Sequence, residues 1–367
     1  MVNKLVDPGE IYIVGQYDLG TSTPTSLYKI GMAQNDSTTI GRVKDHQTGN
    51  PNRIFIEAIF PCQAVYLVER LMHQKWESNR VSQEWFDFTA ADLAQAKLDI
   101  QNFENIHGTD IRNLRNVYYA APTAGDHPGL RPPQITQAET WRDEAYTLCE
   151  EMMKLKYEFS TLEYQILTSN GLNAVVDGVT SLTQNPASSE FDETSLPDPL
   201  RTRYMTKTRK RKDDFRFKFT QTTSKICDLS PTASAYWKNL YATEFAAYDA
   251  AKSAWNAMKA TITPATVVDA IQPRTPAIEA MYDQFIAKKM EFDEKRLELE
   301  VLKLKLRALC SNYEGIANVC SWKRGTQSNE FHKVSFKINE PTAYNDPRYQ
   351  KAKAATAVPS LIKFKTW

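Results

Sequence analysis

The chain has 367 residues, 45 Lys and Arg against 44 Asp and Glu, and a formal net charge of +1, so it is no polycation and any affinity for nucleic acid must come from local patches. No apolar run approaches a membrane span and residues 1–9 lack the apolar core of a secretion signal, so a soluble, cytoplasmic protein without a membrane partner is expected. Cys62, Cys149, Cys227, Cys310 and Cys320 show neither C-x-x-C spacing nor grouping with histidine, which argues against a disulfide scaffold and a thiolate metal site and agrees with a reducing compartment.

Residues 10–14 form a β-rich run just after the turn signal Asp7-Pro8-Gly9, and residues 26–31 form a second after a loop of Gly, Ser, Thr and Pro. The glycine ending the second run, Gly31, permits close approach of another backbone or a ligand. Residues 39–47 predict a short helix with Arg42 and His46 on one face, stopped by Thr48-Gly49-Asn50-Pro51-Asn52. A third strand is expected at 53–60. A helix follows at 64–76, with apolar spacing through Val65, Val68, Leu71 and Met72 and with Glu69 and His73 four apart. Glu84-Trp85-Phe86-Asp87-Phe88 reads as a last short strand and 90–106 as a helix, with His107-Gly108 as its punctuation.

Hydrolysis of a phosphodiester needs an activated water, neutralised phosphoryl oxygens and help for the leaving oxygen. Glu69 is able to hold one divalent cation that keeps much of its water, Arg42 presents a planar fork to phosphate oxygens, and Tyr12 or His46 is suited to relay a proton. Taken singly, each residue has a plainer role: Tyr12 and Tyr28 as strand packing, Arg42 with Glu69 as an ion pair, His73 as a satisfied core histidine.

Taken together and in order, Ile11-Tyr12, Tyr28-Lys29-Ile30-Gly31, Arg42 followed by His46, Gly49-Asn50-Pro51, Glu69 with His73, and Glu84-Trp85-Phe86 resemble the phage DNA-binding branch of the GIY-YIG nuclease superfamily, first described in a T-five-like bacteriophage. The resemblance covers residues 1–106. It implies a small α/β domain that cleaves DNA with Mg²⁺ or Mn²⁺, in a bacterial or infected host cell. By resemblance, Tyr12 and Arg42 match the catalytic tyrosine and arginine, His46 the residue one helical turn later, and Glu69 the metal-binding glutamate. The chain departs from the pattern where Lys29, not tyrosine, directly precedes Ile30-Gly31. Tyr28 is one residue early, which in a strand sends it to the opposite face. Lys29 then either takes over as base or phosphate contact, or catalysis is weakened or lost.

Residues 107–136, with prolines at 122, 128, 132 and 133, read as a linker. Beyond it, Trp141, Ala145, Leu148, Met152, Leu155, Phe159, Leu162 and Ile166 make a heptad seam, as do Ile278, Phe285, Phe292, Leu299 and Leu306; a homodimer through these helices is one expectation. Both segments contain Lys-x-Glu-Phe, then Ser-Asn, then a β-like run and Glu-Phe, which reads as a diverged duplication of a helix-and-hairpin unit, over 137–276 and 277–367. Residues 185–199 read as disordered. The one strongly basic tract follows, Arg201, Arg203, Lys207, Arg209, Lys210, Arg211 and Lys212, and suits a phosphate-tracking arm inserted in a hairpin. Phe215, Phe217 and Phe219 read as core, 231–260 as an aromatic-rich helix, and the tail after Pro341 as irregular.

The fold expected is therefore α+β, a small GIY-YIG-like domain followed by long heptad-type helices with β-hairpins. The leading functional expectation is a metal-dependent DNA endonuclease, with Tyr12, Lys29, Arg42, His46 and Glu69 as its site. The alternatives are a DNA-binding protein without catalysis and an assembly protein acting through its helical half.

Overall fold

The computed structural model describes residues 7–34, 38–48, 50–82, 84–120, 135–171, 173–195, 197, 205–210, 214–221, 235–266, 268–310, 313–323, 328–333 and 347–361. The architecture is α+β, with an N-terminal sheet and long helices after it. Five strands make the sheet: β1 (Gly9–Tyr17), β2 (Pro24–Gln34), β3 (Ile54–Cys62), β4 (Arg80–Ser82) and β5 (Trp85–Asp87). They pair antiparallel in the order β3-β1-β2-β5-β4. Strand β1 is paired on both edges and covered on both faces, which explains its nearly continuous apolar sequence. Ile11 and Ile13 enter the core under the helices, while Tyr12 and Val14 lie on the opposite face.

Helix α1 (Thr39–Gln47) carries the Arg42 and His46 face. Thr38 caps it by accepting from the Gly41 N–H, and the Thr39 hydroxyl donates to the Glu10 carboxylate on β1 at 2.6 Å, an anion placed where the helix dipole favours it. The other face of the sheet is closed by α2 (Val65–Lys75) and α3 (Ala90–Phe103), the latter begun by a Thr89–Asp92 capping box. His107-Gly108 does not end this helix. The two residues lie in a single π turn, Glu104–Gly108, from which α4 (Thr109–Ala120) runs on into the stretch expected to be linker. Ile111, fully buried in the sheet core, and Arg115, which donates to the Gln63 carbonyl, hold this extension down. Residues 121–134 lie outside the described residues.

In the second half, α5 (Thr136–Ser169) and the last helix of the chain, residues 276–310, run antiparallel. Phe159 packs between Phe285 and Phe292, and Glu151 and Glu158 pair with Lys295 and Lys288. The two heptad seams therefore meet each other within one chain, and the expected homodimer through them is not supported. The aromatic helix is broken at Tyr241 into α6 (Ala235–Leu240) and α7 (Ala242–Lys259), and α7 lays Phe245 and Tyr248 on Tyr157 of α5. The long partner of α5 is α8 (Pro276–Cys310).

After each long helix the chain makes the same tight turn. The Val179 N–H bonds to the Val176 carbonyl after α5 and the Val319 N–H to the Ile316 carbonyl after α8, both at 3.0 Å, with positive φ at Gly178 (64°) and Asn318 (61°). Each turn is gripped by an arginine at the start of the opposite helix segment: Arg274 donates to the Asp177 carbonyl and Arg142 to the Asn318 carbonyl.

The hairpins expected within each copy are instead made across the two halves. After α5 come β6 (Asn173–Val176), β7 (Thr180–Asn185), β8 (Ser188–Phe191), β9 (Met205–Lys210), β10 (Asp214–Phe217) and β11 (Val268–Gln272). After α8 come β12 (Gly315–Ile316), β13 (Cys320–Lys323), β14 (Ser328–Lys333), β15 (Gln350–Lys353) and β16 (Thr356–Leu361). Strands β7 and β8 pair with β16 and β15, whereas β13 and β14 pair with β10 and β9; beside these exchanges stand the short β12–β13 hairpin and a parallel β6–β11 pair. Two expectations are corrected here. Residues 188–191 are strand rather than disordered. Residues 350–361 of the supposedly irregular tail are strand as well, because Pro359 sits in a two-stranded ribbon, where the edge tolerates its missing N–H. Phe215, Phe217 and Phe219 do pack in the core.

The sheet sits on α8. Leu297, Leu304 and Trp322 join its core, and Arg70, Gln74 and Glu77 from α2 and the turn after it meet Asp293 and Tyr282. Among the described residues no helix is long and apolar enough to cross a membrane.

Candidate active site

The register of β1 on β2 sets Tyr12 opposite Gly31 and Val14 opposite Lys29, so Tyr12 and Lys29 share one face of the sheet. Tyr28 goes to the other face, against Phe88 in the helix-covered core. The phenol of Tyr12 lies across Gly31: a Cβ there would come within 2.6 Å of the Tyr12 Cζ and Oη atoms. Gly31→Ala is expected to push the ring out of place. Melting should fall by about 1–3 kcal/mol of stability, and any activity that depends on the Tyr12 hydroxyl should fall with it; an unshifted melting curve and unchanged activity would contradict the packing.

Helix α1 approaches this face. Tyr12 Oη and His46 Nε2 are 3.0 Å apart, and Arg42 hydrogen-bonds the same phenol. Burial pushes the Tyr12 phenol up to about 12, against the pull of Arg42 and with the push of the Glu69 and Glu84 carboxylates. Burial, Lys29 and Arg42 hold His46 below the ordinary imidazole value, which favours the neutral ring at neutral pH; in the tautomer with its proton on Nδ1, Nε2 accepts from the phenol. Lys29 is nearly buried and its ammonium meets the Glu84 carboxylate at 2.7 Å. Glu69, on α2, is 9% exposed, and its charge is felt at the Tyr12 hydroxyl. Tyr12, Lys29, Arg42 and His46 are thus gathered on one face of the sheet, while Glu69, on α2 of the other face, is linked to them through its charge at Tyr12.

Three positioning residues escaped the sequence reading. Glu84 anchors Lys29, and Glu10 anchors the start of α1. Gln47 donates to the carbonyls of Asn50 and Asn52 and accepts from the Ile54 N–H, which ties the end of α1 to β3. A polar residue at the last position of a helix, just before an Asn-Pro turn, was the available signal for Gln47.

Residues 9–101 match the T5orf172 domain family. The matched stretch holds the sheet, α1, α2, nearly all of α3 and every residue of this site. No curated protein and no solved structure matches the chain. The T5orf172 domain is a phage-type, nucleic-acid-associated domain, which points to a protein that interacts with DNA.

His73, also within the matched stretch, is the satisfied core histidine of the plainer reading. Its Nε2–H donates to the Ile30 carbonyl at 2.8 Å, and burial, with Arg80 beside it, pushes its pKa down to about 4. A histidine whose folded value is depressed contributes stability that is present above its unfolded value and lost as pH falls. Between roughly pH 6.5 and 4 this single group is expected to cost up to about 3 kcal/mol. Denaturation across that range, compared with His73→Gln, checks the slope.

Among the described residues no three His, Cys, Asp or Glu side chains group as a metal cage. A largely buried carboxylate such as Glu69 suits Mg²⁺ or Mn²⁺ ions that keep most of their water. Of the basic tract, Lys207, Arg209 and Lys210 lie on β9; Arg201, Arg203, Arg211 and Lys212 lie outside the described residues.

Proposed function

We propose that the T5orf172 domain of this chain is a GIY-YIG-like, metal-dependent DNA endonuclease. The observation that carries the reading is the hydrogen-bonded Tyr12–His46 pair, with Arg42 on the phenol and Lys29 and Glu69 beside it. Tyr12 at about 12 is a poor base alone, but it becomes one when it hands its proton to an unprotonated His46 as it takes one from water. The water oxygen bonds to phosphorus, the bond to the leaving oxygen breaks, and that oxygen is protonated from solvent. Arg42 and Lys29 neutralise charge on the phosphoryl oxygens. Glu69 is the residue that would hold Mg²⁺ or Mn²⁺, which supplies further charge neutralisation when bound.

A second reading, DNA binding without turnover, is favoured by one feature: Lys29, where the resemblance expects tyrosine, is already engaged with Glu84. Incubation with supercoiled plasmid and single-stranded DNA in Mg²⁺, Mn²⁺ and EDTA separates the two. Nicking that EDTA abolishes supports the endonuclease. Intact but retarded DNA in every lane supports the binding protein, and neither nicking nor retardation overturns both.

A further inference from the structure

We propose that the crevice where α4 meets α5 and α8 is a binding site for a small organic cation, an aliphatic amine with an apolar body. It is a cavity of about 500 Å³, lined by the π turn with the start of α4, by the first half of α5 and by the second half of α8. Small-molecule sites have this size and favour junctions between domains and between packed helices. Here the sheet module supplies one wall and the pair of long helices the other two. The π turn carries His107 at the crevice, and such turns recur where a helix is reshaped around a functional site.

The floor is apolar: Leu148 on α5 and Leu297 and Leu302 on α8 are buried, with Val301 half-buried beside them. The rim is acidic. Asp110, Glu144 and Glu298 come one from each helix, all are exposed, and none stands in an ion pair among the described residues. Glu298 acts on Lys295, but that ammonium is held by Glu151 at 2.7 Å. The two basic side chains of the lining are turned onto aromatic rings. The Lys305 ammonium lies 5.7 Å from the centre of the Trp141 ring, and the His107 and Phe103 rings are 5.0 Å apart. A nucleotide or other phosphate would bring charge of the sign already in excess, so the crevice is no extension of the DNA site. A bare metal ion would leave the leucine floor unused. An alkyl chain with ammonium ends uses both features, its methylenes on the floor and its charges at the carboxylates.

The test is calorimetric titration of the full chain, free of DNA, with three probes of one length: octamethylenediamine, the corresponding diol, and the corresponding dicarboxylate, suberate. The diamine should bind about tenfold more tightly than the diol, and suberate not at all. E144Q/E298Q, at exposed positions, should lower diamine affinity by about tenfold and leave the diol unchanged. T147W, which sets an indole into the crevice from an exposed position on α5, should abolish binding of both, with melting unchanged. A diol that binds as well as the diamine, or tighter binding of suberate, overturns the cation assignment. Diamine binding that survives both variants intact belongs to the general acidic surface and overturns the site, as does a chain that binds none of the three probes.

Discussion

Glu69→Gln is expected to remove metal-dependent nicking almost entirely, by about 10²–10³-fold, while DNA affinity in EDTA stays near wild type. Glutamine keeps the shape of the side chain but is a poor ligand for a hard divalent cation. The experiment also separates two roles for the carboxylate. Glu69 raises the Tyr12 phenol electrostatically, so if that were its only contribution, neutralising it would make Tyr12 easier to ionise and shift the pH profile of cleavage downward instead of ending it. Wild-type rates in Mg²⁺ for the variant would rule out Glu69 as the metal residue.

Asp293→Ala should have the largest effect on stability. Asp293 is 1% exposed and meets the Arg70 guanidinium at 2.8 Å, the Lys289 ammonium at 3.0 Å and the Gln74 amide at 3.0 Å. Lys289 is already driven down to about 7 by its burial, with Asp293 the main force keeping it charged. Removing the carboxylate leaves the Arg70 guanidinium buried without its counter-ion and drives Lys289 to give up its proton, a loss of about 3–5 kcal/mol and on the order of 10 °C in melting temperature. Replacing all three charges together by apolar residues, as R70L/D293L/K289M, should restore much of that loss. A single D293A variant that melts with the wild type would show that the cluster does not hold α2 to α8.

Much of the site's neighbourhood was legible because it is local. Arg42 and His46 share a helix face by spacing, and strand alternation alone placed Tyr28 and Lys29 on opposite faces, as observed. The glycine at 31 signalled close approach, though not that the approaching group was the Tyr12 ring. Partners distant in sequence were illegible. Nothing in the residues around Lys29 indicates that Glu84 will meet it, and a period of two shows that β7, β8, β15 and β16 are strands at best, never which strands they join. Proline misled where it sits at the edge of a ribbon, and His107-Gly108 misled because a buried Ile111 beyond them made it favourable to continue the helix.

The reciprocal exchange of strands also bears on the order in which the molecule is completed during synthesis. Ser181 and Ser360 share a hydrogen bond across 179 residues of sequence, so β7 and β8 leave the ribosome long before the segment that pairs with them exists. Until residues 350–361 emerge, both strands have open edges able to join the wrong partner. Closure of such distant pairs is slow, and the nascent chain therefore spends its most aggregation-prone interval with α5 made and its strands unanswered, which makes the latest-made strands the ones on which productive folding waits.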